Sequence, residues 1–175
     1  MTHNTSVTDR ARIVVSACLL GAPVRYNGRD KKTHHPVLQR WIEEGRVVSA
    51  CPEVLGGLGT PRPPAEIVQI GGLRRVTTNE GRDVTAAFER GAADTLEQAL
   101  RHGVRVAILK EGSPSCGTTF VYDGSFTGTR VAGEGVAAAL LREHGIRVFS
   151  EHELDAAREY VAALTGHDPS SDPSA

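Results

Sequence analysis

"VVSAC" occupies Val14–Cys18 and returns unchanged at Val47–Cys51, 33 residues later. Each copy is a short apolar run, rich in β-branched residues, that ends in cysteine. A run of that length and continuity is the mark of a strand covered on both faces. Extending the first copy back by one residue gives a predicted strand over Ile13–Ala17, and the second gives Val47–Ala50. Val104–Leu109 and Arg147–Phe149 have the same character.

Helical patterns fill the gaps between these runs. His35–Glu44 has Pro36 near its start and Gly45 just past its end, which is ordinary helix punctuation. Asp83–His102 carries Ala87, Ala92, Leu96 and Leu100 along one face, with Gly91 as a weak point. Gly133–His144 closes at Gly145, and Glu151–Leu164 stops before a polar tail. Strands alternating with helices predict an α/β fold in three layers, a mainly parallel sheet flanked by helices and joined by right-handed crossovers. Ile67–Thr77, broken by Gly71-Gly72, reads either as a small hairpin beside the sheet or as a lid loop.

The chain has 175 residues, 39% hydrophobic and 23% charged, which suits one globular domain over residues 11–165. Residues 1–10 are polar, and residues 166–175 ("GHDPSSDPSA") combine Pro, Ser and Asp with no apolar period. Both are expected to be disordered tails. A formal net charge of −1 argues against a nucleic-acid polymer as partner. No apolar run reaches the ~18 residues of a membrane span, and the N-terminus lacks the apolar middle of a signal peptide. The expected location is the cytoplasm. No "GxxxxGK[ST]" is present, and "GGLG" at Gly56–Gly59 is not a dinucleotide fingerprint.

Three cysteines cannot all pair with one another, and a reducing compartment disfavours disulfides. Their positions are informative. Cys18 follows the first strand and Cys51 the second. Cys116 lies in the loop "KEGSPSCG" that leaves the third. In an open parallel sheet, ligands bind beyond the carboxyl ends of the strands, so all three thiols are predicted on one edge. Core filling is the commonest fate of a lone free cysteine, but three at equivalent strand ends weaken that reading. Structural zinc usually has four ligands and often C-x₂₋₄-C pairs, of which there are none; His34 or His35 would have to complete the set, yet they read equally well as polar residues at the start of a helix. A Cys–His nucleophile would leave two cysteines unexplained. Three thiolates without an obvious fourth ligand suit a cubane iron–sulfur cluster better, with one iron left open as a Lewis acid.

Four segments carry a family resemblance: "VVSACLLGAPVRYNG" from Val14, "VSACPEVLGGLGTPRPPAEI" from Val48, "GRDVTAAFERGA" from Gly81 and "LKEGSPSCG" from Leu109. Together they resemble the thiouracil desulfidase (TudS) family over roughly residues 12–163. The resemblance implies a 4Fe–4S cluster on Cys18, Cys51 and Cys116, with one open iron, loaded by the iron–sulfur assembly machinery. It also implies hydrolytic removal of sulfur from thiouracil or from 4-thiouridine 5′-monophosphate, a salvage substrate, giving uracil or UMP and hydrogen sulfide. The partner is then a small thiolated pyrimidine or its nucleotide. Rival readings are a desulfidase for another thiolated metabolite and a non-catalytic iron–sulfur or metal-binding module.

The neighbours of the cysteines supply the remaining chemistry. A soft thione sulfur matches an open iron, and water must then attack the carbon bearing it. Glu53, two residues beyond Cys51, is the candidate base. Ser113, three residues before Cys116, is the candidate hydroxyl for proton relay, with Ser115 as its rival. Substrate contacts are expected from Arg25, Tyr26 and Asn27 in "RYNGRDKK", from Arg62 in the proline-stiffened "TPRPP", and from Lys110. Lys31 and Lys32 are further phosphate candidates, though such a run is commonly a solvated surface.

Overall fold

A computed structural model describes residues 10–166. The two expected tails lie outside the described residues, apart from Arg10 and Gly166. In chain order the first elements are β1 (Ile13–Ser16), α1 (Pro36–Glu43), β2 (Val47–Ala50) and the short α2 (Pro52–Leu55). Next come β3 (Ala65–Ile70), β4 (Leu73–Thr78), α3 (Thr85–Arg101) and β5 (Val106–Leu109). The chain continues through β6 (Phe120–Tyr122), β7 (Arg130–Ala132), α4 (Val136–Glu143), β8 (Arg147–Ser150) and α5 (Leu154–Thr165).

The central sheet has the order β2-β1-β5-β8, and every pairing in it is parallel. Alternation along each strand splits the core into two layers, because successive side chains point to opposite faces. Ile13, Val15, Val106, Ile108 and Phe149 meet Leu38 and Trp41 of α1 and Leu154 and Val161 of α5. Val14, Ala107, Leu109 and Val148 meet Leu96 and Ala99 of α3 and Leu141 of α4. The three-layer α/β architecture expected from the sequence is the one observed.

Local chemistry explains the element ends. Pro36 opens α1, and the His35 ring caps it by accepting the Val37 N–H at 3.2 Å. Gly45 then takes φ 67°, a left-handed conformation that glycine adopts without strain. Of the two readings of Ile67–Thr77, the hairpin is correct. β3 and β4 pair antiparallel up to Ile70 opposite Leu73, and Gly71 and Gly72 both have positive φ, as a type I′ turn demands. Its inner residues Ile67 and Val76 pack with Phe88 and Val121.

Gly91, the weak point of α3 in propensity terms, is where α2 crosses that helix. A Cβ there would stand 1.7 Å from the Pro52 carbonyl oxygen, and one on Gly56 would stand 2.0 Å from the Ala87 carbonyl oxygen. Glycine on both sides of the crossing lets the two backbones touch, and this contact sets the position of the chain just after Cys51.

Candidate active site

The chain leaves β1 for β2 on one side, then crosses to β5 on the other, so the order in which strands are added reverses between β1 and β5. Loops leaving a reversal point diverge and open a crevice beyond the strand ends. A cavity of about 490 Å³ lies there, and Cys18, Cys51 and Cys116 all line it. Cys18 reaches it from the 3₁₀ turn Ala17–Leu20, and Cys51 from the N-cap of α2. Cys116 reaches it from the loop after β5, as the sequence predicted for all three.

All three thiols are free. Burial pushes the Cys18 thiol up to about 11, reinforced by the negative charge that Cys51 would carry as a thiolate. Burial likewise pushes Cys116 up to about 12, against the lowering effect of hydrogen bonds from Ser16 and Ser115. Cys51 is raised mainly by burial. At neutral pH these groups are therefore protonated, and taking up a metal group as thiolates would release protons. Among the described residues, no three Cys, His, Asp or Glu side chains are close enough to hold a single metal ion. Three soft donors spread around a cavity of this size fit a multi-atom cluster rather than a mononuclear centre.

A polar chain runs beside the thiols. The Ser115 hydroxyl donates to Glu53 Oε2 at 3.0 Å and lies 2.9 Å from the Ser113 hydroxyl. Ser113 Oγ also accepts the backbone N–H groups of Ser115 and Cys116, at 3.1 and 3.0 Å. With its lone pairs so engaged, Ser113 must be the donor to Ser115. The proton order is fixed: Ser113 to Ser115 to the Glu53 carboxylate. The two serines that the sequence left as rivals are successive links of one chain.

Arg62 aims the carboxylate. Its side chain is only 8% exposed, and Nε lies 3.3 Å from Glu53 Oε1. The rest of its fork bonds the Val24 carbonyl, the Gly59 carbonyl and the Thr60 hydroxyl. Arg62 lines the cavity, yet its donors point into the protein. Lys110 is similarly engaged, at 2.6 Å from Glu151 Oε1 and 2.8 Å from the Glu111 carbonyl. Arg25, Tyr26 and Lys31 line the cavity too. Asn27 is not among the lining residues; its side-chain oxygen accepts the Arg29 N–H at 3.1 Å and shapes the loop. Neither His34 nor His35 reaches the cavity.

Sequence reasoning missed Glu111, Ser16 and Tyr122. Glu111 is buried, and its carboxylate accepts N–H groups from Gly112, Thr118 and Thr119 and hydroxyls from Thr118 and Thr119. Burial alone would raise its pKa, but these donors outweigh it and hold the group at about 2. The loop from Gly112 to Thr119, which carries Ser113, Ser115 and Cys116, is thus wrapped around a fixed charge. Its far side docks on α4, whose first N–H groups donate to Pro114 and Ser115 carbonyls at 2.9 Å. Gly135 permits that contact, since a Cβ there would lie 2.3 Å from the Ser115 carbonyl carbon. The only sequence signal for Glu111 was a carboxylate followed, seven residues on, by Thr118-Thr119. Tyr122 comes from β6, a strand too short to show a period, and places a second tyrosine at the cavity.

A protein-family model described as 2-thiouracil desulfurase matches residues 13–153. This chain belongs to that family. The match opens on the first residue of β1 and ends just before α5, so the 2-thiouracil desulfurase region contains all three cysteines and the Glu53–Ser115–Ser113 chain. A family relative among solved structures, the [4Fe-4S]-dependent thiouracil desulfidase TudS, is 51% identical with a TM-score of 0.83. The alignment covers 88% of this chain and 99% of that one. The uncharacterized protein YbbK of Bacillus subtilis (strain 168) is 44% identical over 149 residues, which is 82% of this chain and 97% of that protein. No helix among the described residues of this desulfurase-family chain is long and apolar enough to cross a membrane.

Proposed function

We propose that this protein is a cytoplasmic desulfidase in which Cys18, Cys51 and Cys116 hold a 4Fe–4S cluster with one iron free of protein ligands. Its substrate is a thiolated pyrimidine, thiouracil or 4-thiouridine 5′-monophosphate, converted with water to uracil or UMP and hydrogen sulfide. The observation that carries this reading is the convergence of three free thiols from three strand ends on one cavity, beside a directed carboxylate–hydroxyl–hydroxyl chain. Family membership and the TudS neighbour support it.

When bound, such a cluster supplies a soft Lewis acid for the thione sulfur and draws electron density from the carbon that bears it. The chain's own residues do the proton work. Glu53, aimed by Arg62, takes a proton from the attacking water. Glu53 then gives the same proton to the departing sulfur, while Ser113 and Ser115, whose donors run toward the carboxylate, hold it in place. No external oxidant or reductant is needed, because water adds and hydrogen sulfide leaves. Tyr26 and Tyr122 offer aromatic surface for the pyrimidine. Arg62 and Lys110 are each paired with a carboxylate. Arg25 and Lys31 form no ion pair among the described residues, which leaves them as the cations for a substrate phosphate.

Anaerobic reconstitution with iron and sulfide, followed by incubation with 4-thiouridine monophosphate and with 2-thiouracil, tests the assignment. Loss of thione absorbance with matching sulfide release is expected. Cluster-loaded protein that desulfurates neither compound would overturn it. Glu53→Gln should keep the cluster and lose about 10²–10⁴ in rate, and an unchanged rate would remove Glu53 from its role.

A further inference from the structure

Ser16 is the serine of the first "VVSAC", the last residue of β1, and it is 3% exposed. Its hydroxyl oxygen accepts the Lys110 N–H at 3.0 Å, and Oγ lies 3.4 Å from Cys116 Sγ with its proton directed at the sulfur. A second hydroxyl, that of Ser115, also approaches this sulfur, at a longer 3.6 Å, and divides its proton between it and Glu53 Oε2 at 3.0 Å. Ser16 is therefore the side chain whose donor is committed to this thiol. The serine of the second "VVSAC", Ser49, is exposed on the edge strand and forms no side-chain hydrogen bond to a cysteine among the described residues.

We infer that Ser16 is a positioning residue that holds Cys116 by a buried O–H···S hydrogen bond and sets the reduction potential of the group that Cys116 ligates. This rests on the cluster reading given under Proposed function. A donor to a ligating thiolate withdraws charge from the sulfur and favours the reduced, more negative cluster, so it raises the potential. The bond ties β1 to the loop after β5 across the crevice. The protein does not need the cluster to change oxidation state in turnover. A higher potential would make the resting cluster harder to oxidise, and oxidation is the route by which open cubanes lose iron.

The test uses the reconstituted full chain and an EPR-monitored redox titration, with iron and sulfide content measured in parallel. Ser16→Ala should shift the potential to more negative values and speed iron loss in air several-fold, while Ser49→Ala leaves both at the wild-type level. Ser16→Thr and Ser16→Val fill the same volume and isolate the hydroxyl from any cavity. Thr is expected to retain the wild-type potential and Val to follow Ala. A cluster that loads on Thr but not on Val or Ala would also support the assignment. Equal potentials for Thr and Val, or failure of both to load, would overturn it and leave Ser16 a packing residue. Wild-type protein that takes up no iron and sulfide would instead fail the reading of the site itself.

Discussion

The "VVSAC" of β1 runs through the middle of the sheet between β2 and β5, whereas that of β2 forms an edge. All of β1 is buried; in β2, Val47 and Val48 are half-buried and Ser49 is exposed. The two copies are also staggered by one residue, with Val15 opposite Ser49 and Ser16 opposite Ala50. Because side chains alternate along a strand, that single step turns equivalent letters to opposite faces. Val14 points to the α3/α4 layer, while Val47 packs on the α1/α5 layer. The downstream paths differ too. Cys18 enters a 3₁₀ turn, and Cys51 caps a helix pinned to α3. Identical words thus converge only at their last two letters, Ala17-Cys18 and Ala50-Cys51, which line the same cavity. What they share is delivery of a thiol to one cavity, and strand position decides everything else.

That contrast can be broken or sharpened by mutation. The largest effect belongs to the shared letter: Cys18→Ala and Cys51→Ala should each abolish cluster retention and turnover, as should Cys116→Ala. Iron and sulfide analysis checks this, and a variant that keeps full iron would break the equivalence. Next is the support of the third thiol. Glu111→Gln replaces an acceptor of several N–H and hydroxyl groups with an amide that must turn a donor toward them. A loss of about 3 kcal/mol at neutral pH is expected. Because the folded-state pKa is lowered to about 2 from the ordinary 4.5, the carboxylate's contribution is complete above that ordinary value. It fades as pH falls from 4.5 toward 2, so denaturation curves of wild type and variant should draw together over that window.

Gly91→Ala tests the helix crossing on which only the second copy depends. Forcing α2 and α3 apart should cost about 2 kcal/mol and loosen Cys51 and Glu53, read as a lower melting temperature together with reduced iron content. The smallest effect compares strand interiors. Val15→Ala, in the central strand, should lose about 2 kcal/mol and Val47→Ala, at the edge, less than about 1. Urea titrations with unchanged slopes would measure the gap. Equal losses would mean that the two copies are more alike than their burial indicates.

The legible parts of this molecule were those that repeat a period or end one. All four sheet strands, the four longer helices and the sheet-edge location of the cysteines follow from apolar runs and Gly/Pro punctuation. The two short hairpin strands β6 and β7, and the single turn of α2, hold too few residues to show a period. Contacts that depend on tertiary approach were also invisible. Gly91 read as a defect because its partner, the Pro52 carbonyl, is distant in sequence. Arg62 read as a ligand for phosphate because nothing in "TPRPP" discloses that its fork is turned inward to Val24, Gly59 and Glu53. Ser16 lay inside the quoted word and still went unremarked, since its acceptor is a hundred positions away.

The loop that carries Cys116 is tied on one side to the Glu111 carboxylate and on the other to the first N–H groups of α4. Immobilising a flexible backbone costs about 1–2 kcal/mol per residue, so ordering such a loop around an incoming ligand would consume much of that ligand's affinity. Here folding itself has already frozen it. An arriving cluster therefore meets a receptor and not a chain waiting to be organised, and the apo protein should keep the shape of its site between one loading and the next.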